Sequence, residues 1–381
     1  MTPLPPSVLH VTEAAGGGVR RHLGYVIPAL AAAGLRQGVV ISRERGESGL
    51  DEELAAWTAQ GVAVHVLPMR RGLSPRDPGQ IPALRRLLRT ESPQVVHAHA
   101  TKAGLLARLA APSGVGRIYS PHSFVFQEMT GFRRFLARNL ERLLARRTDR
   151  WVLVSPAEAE VARRELGIPE ERLRVVENGL PESWAERLLP RAEVRSGWAV
   201  DADERILVVP ARLAWQKGQD WLFHALAKFT AEPRLQIRLM GGGPAEGDLR
   251  RLAAELGIAH LLRWDGFVPD AGHRLAGADL VLLPSRHEGL SYALLETLAA
   301  GVPLLVSDIP GNLPRPELRE VAAAVPFGDT PALVRALRDF LDCPAPWRER
   351  AAHGPRLQRR HWSLPVQVAG LLACYKELLP C

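Results

Sequence analysis

Two carboxylates and two cations carry the chemistry this sequence offers most plainly. Glu288 and Glu296 lie within residues 280–307. That stretch opens with an apolar run of strand length, 280–283, closed by Pro284. A polar turn, 285–289, leads into Leu290, Ala293, Leu294 and Leu298 at helical spacing. Gly301 to Pro303 stops the helix before a second apolar strand, 304–306. Strand, turn, helix, strand is the parallel unit that holds ligands at the carboxyl ends of its strands. Glu288 falls in the turn and Glu296 about two helical turns on, so the pair can span roughly 12 Å. That separation suits two diols far apart on one elongated ligand. The plain alternative is a Glu favouring the helix dipole and a second Glu on a solvated face.

Arg212 and Lys217 lie in a turn between a strand, 206–209, and a helix that starts after Gly218. Two cations at a helix start make an anion site, Arg as a fork onto oxygens and Lys as a point charge. Taken alone they would equally be two solvated loop cations. A second strand, 235–240, runs into Gly241, Gly242 and Gly243. Near the N-terminus, a β-rich run, 8–12, feeds Gly16, Gly17 and Gly18 and a helix expected over 19–35. Bare backbone at a helix start lets a phosphate approach closely. Neither a P-loop nor a GxGxxG fingerprint is present. His97, His99 and Lys102 could bind metal or phosphate, although such a set without a nearby carboxylate more often lines a cleft. His122, after a strand and beside Pro121, has the better claim to face one.

The elements that must position these residues alternate. Further strand candidates are 38–42, 62–67, 94–97, 117–120, 151–154 and 173–176. Helical stretches run near 50–60, 80–90, 103–111, 132–147 and 156–166. This β/α alternation predicts doubly wound parallel sheets. At 381 residues the chain exceeds what one core usually serves. The pattern stalls over 180–204, which reads as a connection, and restarts at 206. Two Rossmann-like domains are therefore expected, 1–180 and 181–381, facing each other across a cleft. A last amphipathic helix, about 363–379, is placed to pack back on the first.

Composition narrows the setting. Cys343, Cys374 and Cys381 are few, late and odd in number, which predicts a reducing compartment without a disulfide framework. No window of about 20 residues is apolar and uncharged, and the first ten residues lack a signal-peptide pattern. A cytoplasmic protein is expected. The net charge of +8 is uneven: residues 1–182 hold 25 Lys and Arg against 18 Asp and Glu, the remainder 24 against 23. Such asymmetry points to an anionic partner for the first half. Within 131–150, Phe132, Phe135, Leu136, Leu140, Leu143 and Leu144 recur at helical spacing among seven arginines. Arg134, Arg138 and Arg142 are the residues expected to meet an anionic cytoplasmic leaflet. The alternative is a core-packing helix with a solvated basic face.

The segment PSRHEGLSYALLETLAAGVPLL, with its Glu, seven residues, Glu spacing, closely resembles the signature of retaining GT-B glycosyltransferases of family 4. ARLAWQKG is similar to that family's GRL-x-x-x-KG, GGGP to its G-x-GP segment, and VHAHATKAGLLARLAA to its HSSKAGLLGRLAA. The resemblance extends over about residues 8–380. It implies a nucleotide-diphosphate sugar as donor, with Arg212 and Lys217 on the diphosphate, Glu296 on the ribose and Glu288 on the sugar. His122 would lie against the sugar. Gly289, Leu290 and Ser291 would offer backbone N–H groups, and Gly17, Gly18, Gly241, Gly242, Gly243, Phe267 and Val268 would line the donor. Front-face substitution without a protein nucleophile is implied, as are no cofactor and no metal. The acceptor would be a glycan or lipid-linked cell-envelope intermediate. The sequence departs from the family at Ala211, at Arg20 in place of a frequent Glu, and at IPGNLPRPEL, where Glu317 receives no role. Two rivals fit some of the same residues, a nucleotide-sugar 2-epimerase and a basic nucleic-acid binder. The second is disfavoured because the first-half charge lacks interleaved aromatics, so no nucleic-acid partner is expected.

Overall fold

A computed structural model describes residues 7–44, 46–70, 77–232 and 234–379. Among the described residues, thirteen strands form two parallel sheets. The first holds β1 (Ser7–Thr12), β2 (Arg36–Ile41), β3 (Ala63–Val66), β4 (Val95–His99), β5 (Gly116–Ser120), β6 (Arg150–Leu153) and β7 (Leu173–Val175), in the order β3-β2-β1-β4-β5-β6-β7. The second holds β8 (Arg205–Val209), β9 (Leu235–Met240), β10 (Leu262–Gly266), β11 (Leu280–Leu283), β12 (Leu304–Ser307) and β13 (Ala323–Val325), in the order β10-β9-β8-β11-β12-β13. Central strands such as β4, β11 and β12 are buried at every position, as strands covered by helices on both faces must be.

Each sheet reverses its winding once, between β1 and β4 in the first and between β8 and β11 in the second. At such a switch point the loops after the two strands diverge, leaving room for a ligand beyond their carboxyl ends. The candidate chemistry falls at these two places.

The chain divides into two compact units, Met1–Asn178 with Leu364–Cys381, and Gly179–Ser363. The last helix, Leu364–Lys376, belongs to the first unit. Its Val368, Leu371, Cys374 and Tyr375 join a buried cluster with Val8, Val26, Val95, Ile118, Val152 and Val176.

The stretch 180–204, read as a connection, is built into the second unit. Its helix Arg191–Gly197 sends Arg191 to Asp279 Oδ1 at 2.6 Å and Arg195 to Oδ2 at 3.3 Å. The buried Asp279 also accepts the Ile206 N–H at 2.8 Å, which anchors the edge of β8. The helix escaped a hydrophobic pattern because it buries only Val194 and the paired Arg195. Leu318–Val321 and the helices from Thr330 to His361 complete the layers of this unit.

Candidate active site

In the second unit the turns after β8 and β11 are joined at their backbones. Arg286 N–H donates to Gln216 O at 2.8 Å, and Gln216 Nε2 donates to His287 O at 3.1 Å. The Arg286 guanidinium forks onto Asp220 at 2.7 and 2.6 Å and donates to Trp215 O at 2.6 Å. It also lies 4.8 Å from the Trp215 ring centre. Burial pushes the Asp220 carboxyl up, but the Arg286 bonds and charge outweigh it and hold the carboxyl below its ordinary range. Gly218 completes the junction. Its φ is +68°, and a Cβ there would lie 1.9 Å from Pro284 O, so only glycine lets the two turns approach.

This junction brings together two of the residues the sequence singles out. Lys217 Nζ donates to Glu288 Oε1 at 2.6 Å, and Ser285 Oγ donates to the same oxygen at 2.7 Å. Among the described residues Glu288 Oε2 carries no bond. Arg212 is exposed on the same turn as Lys217, its carbonyl accepting from Gln219 Nε2 at 3.0 Å. A cation pair and a carboxylate with one open oxygen therefore stand at the β8/β11 switch point. That set can hold a diphosphate on one side and hydroxyls on the other.

The three glycines after β9 do different things. A Cβ on Gly241 would meet Ala211 O at 2.2 Å, and one on Gly243 would meet Leu213 O at 2.2 Å. Leu213 N–H donates to Gly242 O at 3.0 Å. Gly241 and Gly243 thus seat the Arg212 turn, while Gly242 alone faces open space. On the other side, a Cβ on Gly311 would lie 2.0 Å from Glu288 O. Beyond β10, Phe267 is exposed and Val268 half-buried.

The helix after Glu288 begins later than its spacing predicts. It runs Tyr292–Ala300, with Ser291 as N-cap accepting from Leu294 N–H at 3.2 Å. Gly289, Leu290 and Ser291 therefore precede the helix, because the Ser291 side chain ends the turn in extended backbone. Glu296 is buried on this helix, its carboxylate against Gly272, where a Cβ would lie 2.6 Å from Oε2.

In the first unit the helix after β1 is Gly17–Ala32. The Gly17 N–H expected to receive phosphate faces Glu47, whose two oxygens each lie at 3.1 Å. A carboxylate of the chain itself thus takes the anion position. Lys102 separates from the histidines, its Nζ donating to Arg70 O at 2.7 Å. Glu13 Oε2 accepts the Ala103 N–H at 2.9 Å, at the start of the helix Thr101–Ala110.

His97 and His99 instead gather with His10, His22 and His122 at the β1/β4 switch point, where His10 is in register with His97 and Thr12 with His99. His122 sits in a tight loop with φ +51°, followed by Ser123 at φ +87°. Burial pushes His10 down to about 3 and His22 to about 4, partly offset by bonds to Gln37 and Asn178. Burial, then the neighbouring imidazoles, holds His97, His99 and His122 well below their ordinary value. All five are neutral at neutral pH.

The helix Gly131–Ala145 reverses the face assigned to it. Arg134 donates to both Glu165 oxygens at 2.9 and 2.8 Å, and Arg142 Nε donates to Glu165 O at 2.9 Å. Arg138 is partly buried between them in sequence. Arg134 and Arg142 thus tie the helix to Glu165 of its neighbour Pro156–Leu166. Phe132, Phe135, Leu136 and Leu143 are exposed, Phe132 by 74%. Among the described residues no helix is long and apolar enough to cross a membrane.

Sequence reasoning missed Gln216, Asp220, Arg286 and the buried Asn312. Asn312 Nδ2 donates to Ser307 O at 3.2 Å and Ser307 Oγ at 3.0 Å, fixing the end of β12. Asp220 and Arg286 are 66 residues apart and carry no local signal. Asn312 could have been flagged as the one amide of a Pro-Gly-Asn turn after a strand.

Residues 16–184 match the model of Glycosyltransferase Family 4 and residues 190–356 that of Glycosyl transferases group 1. The chain is 27% identical over 309 residues to alpha-D-kanosaminyltransferase of Streptomyces kanamyceticus, across 77% of this chain and 80% of that one. It is 25% identical over 246 residues to the UDP-Gal:alpha-D-GlcNAc-diphosphoundecaprenol alpha-1,3-galactosyltransferase of Escherichia coli, across 62% and 63%. In fold it is similar to Anabaena HepE, solved in complex with UDP-glucose, at a TM-score of 0.81 and 16% identity over 97% and 99% of the two chains. The chain belongs to the nucleotide-sugar-dependent GT-B glycosyltransferases of the group 1 family.

Proposed function

We propose that this enzyme moves a sugar, with retention at the anomeric carbon and without a divalent ion, onto a hydroxyl of a lipid-linked or cell-envelope glycan. The observation that carries the reading is the Lys217–Glu288 pair at the β8/β11 switch point beside Arg212. An ammonium has three N–H donors. One goes to Glu288, which leaves two for the donor diphosphate. Arg212 adds a fork for the same group, so negative charge collecting on the leaving oxygen meets fixed positive charge, a large catalytic term in a site of this kind. Glu288 Oε2 accepts from sugar hydroxyls. Glu296 accepts from both ribose hydroxyls, since a carboxylate takes two donors side by side.

No protein nucleophile is needed if the departing phosphate takes the proton of the incoming hydroxyl on the same face. The acceptor class is supported by the Escherichia coli relative, whose substrate is a diphosphoundecaprenol-linked sugar. The exposed Phe132, Phe135, Leu136 and Leu143, flanked by exposed Arg133, Arg146 and Arg147, support work at an anionic membrane surface on the cytoplasmic side.

The test is product analysis by NMR after EDTA treatment, with UDP-, GDP- and ADP-sugars offered in turn. Retained configuration with activity within about twofold of untreated enzyme is expected, because two cations already serve the diphosphate. An inverted product, or activity lost to EDTA and restored by Mg²⁺ or Mn²⁺, overturns the reading. Conversion of donor without acceptor would identify an epimerase.

A further inference from the structure

The histidine cluster of the first unit is ordered by one amide. Gln37 Nε2 donates to Ile27 O at 2.9 Å, so Gln37 Oε1 faces His10 Nε2, 3.2 Å away. His10 must therefore carry its proton on Nε2 and a lone pair on Nδ1. That lone pair lies 3.1 Å from His99 Nε2, which supplies the proton. His99 in turn has its lone pair on Nδ1, 3.1 Å from His122 Nε2.

His22 arrives from the helix Gly17–Ala32. Its Nδ1 donates to Asn178 Oδ1 at 3.2 Å, and Gln367 Nε2, 3.1 Å from that nitrogen, is also 3.4 Å from the same Asn178 oxygen. When Gln367 Nε2 gives its N–H to that oxygen and His22 keeps its proton on Nδ1, the lone pair of His22 is on Nε2, which is buried and has no partner among the described residues. A ring nitrogen from each of His22, His99 and His122 lies within 4.8 Å of the other two.

We infer that His22, His99 and His122 form a binding site for one first-row transition-metal ion, of the zinc or cobalt(II) class. Three imidazoles with an open fourth position are a ligand set that suits such ions. No carboxylate joins the set, which disfavours Mg²⁺ and Ca²⁺. Two ligands already have the outer partners that metal-bound histidines use: Asn178 on His22, and His10 backed by Gln37 on His99. Tetrahedral bonds of about 2.0–2.1 Å require the three nitrogens to draw somewhat closer. His122, on a loop and partly exposed, is the one free to turn. Its Nε2 proton, now shared with His99, leaves to Nδ1 or to water as the ion binds.

A second grouping, His10, His97 and His99, is equally close but carries no site. Both nitrogens of His97 are engaged at 2.8 Å, by Tyr375 Oη and Ser120 Oγ. Both nitrogens of His10 are used as well.

The experiment is titration of EDTA-stripped, dialysed full-length chain with Co²⁺, read by its visible d–d absorption, followed by displacement with Zn²⁺ and by melting curves. One equivalent of Co²⁺ should give a saturating visible band that Zn²⁺ abolishes, with a rise in Tm for either ion and none for Mg²⁺. H122A, altered at the partly exposed ligand, should fold and lose the band, as should H22Q, while H97Q keeps it. No saturable band in the wild-type chain, a band unchanged in H122A, or one lost in H97Q and kept in H22Q would overturn the assignment. The transfer assay after EDTA fails or succeeds separately, so neither result stands in for the other.

Discussion

Lys217 Nζ and Glu288 Oε1, 71 residues apart, meet at 2.6 Å where the turns after β8 and β11 are stitched together. The pair presets the donor site, because Glu288 holds Lys217 toward the anion position. Lys217→Ala should lower kcat/KM by about 2–4 kcal/mol in transition-state terms, by analogy with a lost oxyanion donor. Glu288→Gln should lower kcat more than it raises donor KM, and Glu296→Gln should chiefly raise donor KM. Because Lys217 and Glu288 touch, the double variant should fall short of the summed single effects. Steady-state kinetics on the four proteins decides it, and strictly additive losses would dissolve the pair as a unit.

The glycines after β9 make a sharper test of how the site is built. Gly241→Ala and Gly243→Ala force a methyl into the carbonyls of Ala211 and Leu213. Each should cost about 1–3 kcal/mol as overpacking and displace the Arg212 turn. Gly242→Ala meets nothing within 4 Å and should leave stability unchanged. Any loss of donor affinity in Gly242→Ala then reports contact with the ligand itself. Denaturant midpoints and donor KM values for the three variants separate fold from binding, and a destabilised Gly242→Ala contradicts the placement.

The strands were legible because each central one is a short apolar run between turn residues, which is all a parallel strand needs. What the sequence withheld was adjacency. Nothing local says that β8 lies beside β11, so Gln216 with His287 and Asp220 with Arg286 were out of reach, although Lys217 and Glu288 were each visible alone. The helix Arg191–Gly197 was lost because its arginines are paired inside the unit with Asp279. In Gly131–Ala145 the apolar period was clear, but a period names a stripe and does not say which side packs. Arg134 and Arg142 bond to Glu165 on the neighbouring helix, and Phe132 and Phe135 face out. Three consecutive glycines likewise look alike until their neighbours are known.

That reversal changes what membrane binding should depend on. The exposed Phe132, Phe135, Leu136 and Leu143 lie along one side of the helix, with Arg133, Arg146 and Arg147 exposed beside them. Apolar side chains entering the headgroup region and flanking cations near anionic lipid both favour binding. Replacing Phe132, Phe135 and Leu136 by Ser should abolish co-sedimentation with anionic vesicles and leave Tm unchanged or higher. Replacing Arg134, Arg138 and Arg142 by Gln should lower Tm instead, since the ties to Glu165 are lost. Sedimentation with anionic and neutral vesicles, beside melting curves, distinguishes the faces. Binding that survives the Ser variant but not the Gln variant would restore the arginines as the contact.

Glu158 supplies a pH signature for the loop that carries His122. Its oxygens accept the Ser123 N–H at 2.6 Å and the Val154 N–H at 2.8 Å, pinning a backbone that turns through positive φ at both His122 and Ser123. Burial pushes its carboxyl from 4.5 up to about 7, against the lowering effect of those two bonds. A raised carboxyl means the folded chain keeps a proton that the unfolded chain has released. Stability from this group is therefore greatest below pH 4.5 and falls as pH rises toward 7, then stays level. The full swing is roughly 3 kcal/mol. In Glu158→Gln that limb should flatten, since the amide does not titrate, although one backbone N–H loses its acceptor and the variant is weaker throughout. Urea midpoints at about pH 5 and about pH 8 on both proteins measure the difference. An identical pH dependence in wild type and variant would mean that Glu158 is ionised across the range and that its two N–H bonds outweigh its burial.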